Sequence, residues 1–367
     1  MNEHQLIQEL HQLVQNKSLQ IIDRTSLKNI EFVNIFADVE ELVIDNCESV
    51  IPKLNNDMIK RLVLLYNNIK NLKDLVLPKL EELDIQEDYI QGECNEVLKS
   101  IGEFKVLTQL KICGYRGIDL NLIKQFKQVT TLQLCNCEIQ NISILTQFGN
   151  LIKLSLFDNE NIDINPLKLM TVQVLDLGCC CLKNIEALKF QSQLRELQLQ
   201  CNLNINIFNI QFLRQLITLN LDNCALIDIT YLTSLTNLKH LQIAQNNIVY
   251  LEPLQDLNQI KSLDAHSNCI QNTTALKKHS NFNSYQIYDQ NQPSKFDIIF
   301  ANLLRDINIV NSLICKIGKS HYDLTKQIDL QCDQVILCLR NITQNQYKFI
   351  GQVASLFKYL NTQQDQQ

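Results

Sequence analysis

The sequence is short of the pieces that common chemistries require. Glycine is scarce, at 8 residues in 367. No Gly-x-x-x-x-Gly-Lys or Gly-x-Gly-x-x-Gly segment occurs, and Gly114 and Gly117 are the closest glycine pair. A glycine loop that cradles phosphates is therefore excluded. There is no His-Glu-x-x-His and no Cys-x-x-Cys, so the usual zinc spacings are missing. Lys/Arg runs are absent and the net charge is −6, which speaks against nucleic acid as a partner. No stretch reaches the ~18 apolar residues of a membrane span. The first residues lack the apolar core of a signal peptide, and a cytoplasmic setting is expected. The 14 cysteines then read as reduced thiols. Neither catalytic residues, nor a cofactor, nor a metal site is expected, and the chain reads as non-enzymatic.

What is present is a repeat. The segment Leu151-x-x-Leu154-x-Leu156-x-x-Asn159 recurs as Leu216-x-x-Leu219-x-Leu221-x-x-Cys224-x-Leu226 and Leu238-x-x-Leu241-x-Ile243-x-x-Asn246-x-Ile248. Its second apolar position falls at Leu42, Leu62, Leu83, Leu110, Leu132, Leu154, Leu175, Leu197, Leu219, Leu241 and Leu263, with a weaker copy at Tyr285. Most of these spacings are 21 or 22, and the gap of 27 before Leu110 implies an insertion around Gln91 to Val97. Leu19 and Ile21 look like a degenerate earlier copy.

The L-x-L core alternates with period two, which predicts a short strand with one buried face. A second apolar series at spacing three, such as Ile229, Leu232 and Leu235, predicts a short helix or 3-10 turn behind each strand. One such unit cannot bury both rows alone, so stacking is required. The expected fold is an α/β right-handed solenoid with a parallel concave sheet and short helices or 3-10 turns on the convex side. It spans residues 19–292 in about 12–13 repeats. The ninth repeat position holds Cys47, Asn67, Cys137, Asn159, Cys180, Asn202, Cys224, Asn246 and Asn268. A buried amide there can donate and accept, bridging successive turns in a ladder, and Cys fits the same space. Asp88 and Tyr115 break this pattern.

These residues resemble the leucine-rich-repeat superfamily, in the 22-residue class that contains internalins and a phosphatase-regulatory subunit. The resemblance implies a scaffold that binds a protein on its concave face, with a regulatory subunit as one form. The outward strand positions and their neighbours then become partner-binding candidates: Glu41, Tyr66, Glu82, Asp84, Lys111, Tyr115, Lys153, Phe157, Asp176, Gln198, His240, Gln242, Asp264 and His266. Glu40, Glu41, Asp45, Glu81, Glu82, Asp84 and Glu87 form an acidic early region that could receive a basic segment. Tyr66, Tyr115 and Phe157 have no core role in the pattern, and Phe157 is the favoured aromatic anchor. His240 and His266 fall one repeat apart, near enough to weigh as a metal or pH pair beside plain solvation. Adjacent Cys179, Cys180 and Cys181 should point in different directions.

Residues 1–18 read as an N-terminal capping helix, with Leu6, Ile7, Leu10, Leu13 and Val14 on one side. Residues 293–361 read as a C-terminal helical bundle or coiled coil. Phe296, Phe300, Leu303, Ile307, Val310, Ile314 and Ile317 make a heptad seam that would cap the last repeat or dimerise the protein. Residues 362–367 read as a disordered tail. Two other functions stay open. One is an effector whose helical region, with Cys315, His321, Cys332 and Cys338, carries an activity; the other is an extracellular recognition or adhesion module.

Overall fold

Inward leucines at a fixed spacing build one long parallel sheet. The computed structural model describes residues 14–290 apart from 24–32, 35, 37, 48–53, 68, 70, 92–93, 103, 280–282 and 289. The expected N-terminal helix, up to residue 13, and everything expected beyond residue 290 lie outside the described residues. Early strands are β1 (Ser18–Ile22), β2 (Glu41–Asp45), β3 (Leu54–Asn55), β4 (Arg61–Leu65), β5 (Leu75–Val76), β6 (Glu82–Gln91) and β7 (Gln109–Arg116). Then come β8 (Thr131–Gln133), β9 (Lys153–Ser155), β10 (Val174–Asp176), β11 (Glu196–Gln198), β12 (Thr218–Asn220), β13 (His240–Gln242), β14 (Ser262–Asp264) and β15 (Ser284–Gln286). All but β3 and β5 join a 13-stranded sheet in chain order, and those two pair on the back.

Register follows the leucines. Leu154 pairs with Leu175, Leu197 with Leu219 and Leu241 with Leu263. These side chains are fully or almost fully buried, each contributing about 1.5–3 kcal/mol of apolar transfer. Behind the strands run 3-10 turns, from Leu120–Ile123 to Thr274–Lys278. An Asx turn opens most of them. Asn141, Asp163, Asn184, Asn206, Asp228 and Asn272 each accept, through Oδ1, the backbone N–H two residues on. After all but Asn272, which Thr273 follows, the next residue is apolar and turns inward, as with Ile142, Ile185 and Ile229.

The ladder is built as the donor inventory requires. Asn246 Nδ2 donates to the carbonyls of Leu221, Ile243 and Ala244, while its Oδ1 accepts from the N–H of Cys224 and Leu226. Asn159 does the same, and Asn202 and Asn268 donate likewise while accepting from the N–H of Leu182 and Ile248 respectively. Cys137, Cys180 and Cys224 donate S–H to carbonyls, and burial pushes each thiol up to about 12. A thiol is a poor acceptor, so the turn packed on a Cys repeat must satisfy its N–H otherwise. Asn159 and Asn202 are followed by one extra residue before the chain turns inward. That residue lets Asn161 and Asn204, both in the left-handed region, donate to the carbonyls of Cys180 and Cys224.

Two further residues take ladder positions. Glu87 is buried and accepts from the N–H of Asn67 and Ile69. Gln290 accepts from Ile270 N–H and donates to the carbonyls of Ala265 and Tyr288. The ladder therefore runs past Asp88 through its neighbour, and it extends to the last described repeat.

The insertion is also placed. β6 continues to Gln91, the chain forms helix α1 (Cys94–Ser100), and β6 pairs with β7 in two stretches separated by a register shift between Gln86 and Ile90. Val97 and Leu98 of α1 join the core. Gly114 sits where a Cβ would lie 1.7 Å from the Glu87 carbonyl oxygen, at φ +81, so only glycine fits. This corrects the expectation for Tyr115. It is 1 % exposed and fills the ladder slot of its repeat as core, so it is not a surface anchor.

Candidate concave interface

The outward positions of the sheet divide into two regions of different electrostatic character. In the first repeats the charged residues neutralise one another across neighbouring strands. Glu40 accepts from Lys17 and Lys60, which hold its carboxyl down at about 2. Arg61 bridges Glu41 and Glu82, and Lys111 bridges Glu82 (3.2 Å) and Asp84 (3.3 Å). Asp84 is buried beneath this network, where Gln86 also donates to it. Partly exposed pairs of this kind stabilise by about 0–1 kcal/mol each. Their larger effect is to leave little unpaired negative charge. Glu40, Glu41, Glu82 and Asp84 are thus closed by cations and Glu87 is buried, whereas Asp45 and Glu81 make no ion pair among the described residues. Tyr66 stands at the edge of this region, 43 % exposed in the left-handed conformation.

The middle of the face is rich in thiols. The Cys113 and Cys135 thiols are hydrogen-bonded across β7 and the turn after β8. Cys135 also contacts Ser155 Oγ at 3.4 Å, and Ser155 donates to Asp176 at 2.9 Å. Phe157 is half-buried; its ring and the Gln200 amide both lie where a Cβ on Gly178 would project. Cys179 is partly exposed, Cys180 buried and Cys181 exposed, so the three thiols diverge as the strand-and-turn geometry requires.

From β9 to β15 the described concave carboxylates lack the Lys and Arg pairing seen in the early repeats. Among the described residues, Asp176, Glu196, Asp222 and Asp264 make no ion pair with Lys or Arg. Lys153, Glu196, His240 and Gln242 are exposed, and Gln198 is half-buried. Asp222 accepts from Ala244 N–H at 2.6 Å, and burial, with Asp264 nearby, pushes its carboxyl up to about 6. Asp264 Oδ1 holds His266 Nδ1 at 2.6 Å, and the imidazole stacks on Tyr288 with ring centroids 5.1 Å apart. His240 and His266 are thus engaged differently. Among the described residues, no three of His, Cys, Asp and Glu gather in a way that could hold a metal.

The sequence reading named the two strand rows but missed most of the row beyond them. Gln200, Asp222 and Tyr288 lie three residues after the Leu or Tyr of their repeats, as do Phe157 and His266. That constant offset was the signal available for them.

No family model and no curated protein matches the sequence. Solved structures do. An internalin from Listeria monocytogenes aligns at 19% identity over 77% of this chain and 89% of its own, with a TM-score of 0.52. The protein in a TLR13–ssRNA13 complex aligns at 15% identity over 74% of this chain and 55% of its own, with a TM-score of 0.50. A leucine-rich-repeat protein from Leptospira interrogans aligns at 18% identity over 71% and 75%, with a TM-score of 0.47. At these identities the likeness concerns the fold, and the fold is a leucine-rich-repeat solenoid.

Proposed function

We propose that this chain is a non-catalytic scaffold that holds a basic segment of a protein partner on the concave face between β9 and β15. The observation that carries this reading is the contrast along the sheet. Early carboxylates are closed by Lys17, Lys60, Arg61 and Lys111, whereas Asp176, Glu196, Asp222 and Asp264 have no Lys or Arg partner among the described residues. An incoming Arg or Lys would complete these sites and restore the cost of burying Asp222. The stacked His266–Tyr288 pair adds an aromatic surface over which a guanidinium packs well. Unpaired carboxylates repel phosphates, so protein is favoured over nucleic acid, although one structural neighbour is seen with single-stranded RNA. Buried thiols that serve as S–H donors fit a reducing, cytoplasmic setting.

A photoreactive amino acid in place of Gln242 tests this in the source cell. It should cross-link one protein, and the double variant Asp222→Asn/Asp264→Asn should weaken binding of that purified protein at least tenfold, or about 1.4 kcal/mol. Unchanged affinity, or cross-links only from convex positions, would overturn the reading.

A further inference from the structure

The convex side carries an apolar stripe that the repeat pattern does not call for. Most five-residue 3-10 turns bury their middle residue, such as Leu167, Leu188 and Ile210. Two residues later the side chain points out. At that position stand Leu169 (80 % exposed), Phe190 (52 %) and Phe212 (48 %) in three successive repeats. The stripe is bounded: Gln125 and Gln147 take the position in the two preceding repeats, and Ser234 and Asp256 in the two that follow. Phe208, also exposed, broadens it by packing edge-on against Phe212 at 6.2 Å and Tyr231 at 5.2 Å.

We propose that this stripe is a second docking surface, and that its occupant is an amphipathic helix of another protein with acidic residues flanking its apolar face. Two features select that occupant. The first is pitch. These turns stack in register, with Asn184 and Asn206 in a parallel bridge at their entrance, so apolar groups recur at about the 4.8 Å of neighbouring strands. The spacing opens slightly on the outer side of a curved stack. A helix offers one apolar residue per 5.4 Å turn, so three turns meet three repeats. The second is charge. Lys168, Lys189 and Arg214 border the stripe, and residues 168–173, 189–193 and 211–215 contain no carboxylate. Lys189, 5.2 Å from the Phe190 ring centroid, is paired with Glu186 at 2.9 Å; Lys168 and Arg214, which make no ion pair among the described residues, therefore carry the available positive charge beside the row. This surface is on the opposite side from the concave site, so the two proposals stand or fall separately.

The test uses the full chain and synthetic helical peptides of about 18 residues, with Leu once per turn and either Glu or Lys on both flanks. Fluorescence anisotropy should show the Glu-flanked peptide binding at least about tenfold more tightly than the Lys-flanked one. Phe190→Ser/Phe212→Ser should abolish binding, and Lys168→Glu/Arg214→Glu should reverse the charge preference. All four positions are exposed, and circular dichroism should show unchanged folding; Leu169→Ser gives an independent variant of the stripe. Equal affinity for both peptides, or binding that survives Phe190→Ser/Phe212→Ser, would overturn the proposal. So would no binding, or a concentration-dependent dimer in sedimentation that the Phe variants dissolve, since a second copy would then be the occupant.

Discussion

Replacing Asn246 by Leu isolates the energetic role of the ladder. The amide makes five hydrogen bonds of 2.9–3.0 Å in a site that is 3 % exposed. Leu is similar in size but restores none of them. Ile243 O keeps a bond from Asn268, and Ala244 O one from Asn223. Three groups lose a partner that no other described bond replaces: the N–H of Cys224, the N–H of Leu226 and the Leu221 carbonyl. Each orphaned buried group costs about 1–3 kcal/mol. The added apolar burial returns about 1–2 kcal/mol, leaving a net loss on the order of 3–5 kcal/mol. Urea unfolding followed by circular dichroism would measure this. Hydrogen exchange should show local opening centred on Cys224 and Leu226, because each repeat leans only on its neighbours. A loss below about 1 kcal/mol, or opening spread evenly along the chain, would refute the ladder as the element that ties these turns together.

Leu219→Ala should cost about 2–5 kcal/mol by opening a core cavity, while Asn220→Ala, one residue on and facing out, should cost less than about 1; equal losses would contradict the register. Gly114→Ala should destabilise by more than about 3 kcal/mol, since the Cβ would collide with the Glu87 backbone, whereas Gly117→Ala, at positive φ but with open space around its Cβ, should cost about 1; thermal melts of the two variants decide this. Asp222 has its folded pKa raised to about 6 from 3.8. Its contribution to stability is therefore full below about pH 4 and lost as pH rises through 6. Asp222→Asn should stabilise the free protein at pH 7 by about 1 kcal/mol after allowance for solvent screening, and leave it unchanged at pH 3.5. Denaturation at the two pH values checks the sign.

Strand positions were legible because the inward leucines recur with little drift, and parallel pairing simply stacks them. The Asn and Cys ladder was legible for the same reason. Glu87 and Gln290 were harder to see, because different residue types do the same bonding. Tyr115 misled because its burial depends on the register shift opposite β6, which spacing alone does not reveal. The early carboxylates misled in another way. Read along the chain they look like an acidic cluster, but Arg61 and Lys111 stand beside them only once the strands are paired. The sequence reading placed the candidate interface on the concave face by analogy. Asp176 and Asp264 were legible as outward strand residues, whereas Asp222 lies in the third outward row and the convex stripe lies outside the strand pattern altogether.

The alternation of Asn and Cys in the ladder from Cys137 to Asn246 constrains how this chain can change length. An Asn repeat that precedes a Cys repeat carries the longer turn, with Asn161 or Asn204 bonded to the Cys carbonyl. A Cys repeat carries the shorter turn, bonded to the next Asn amide. Excising the Cys180 repeat alone would set the long turn after Asn159 against the Asn202 amide, which is matched to a short one. Excising two consecutive repeats preserves every junction. In this stretch the unit of deletion, duplication or grafting is therefore a pair of repeats, and single-repeat edits should fold poorly where paired ones succeed.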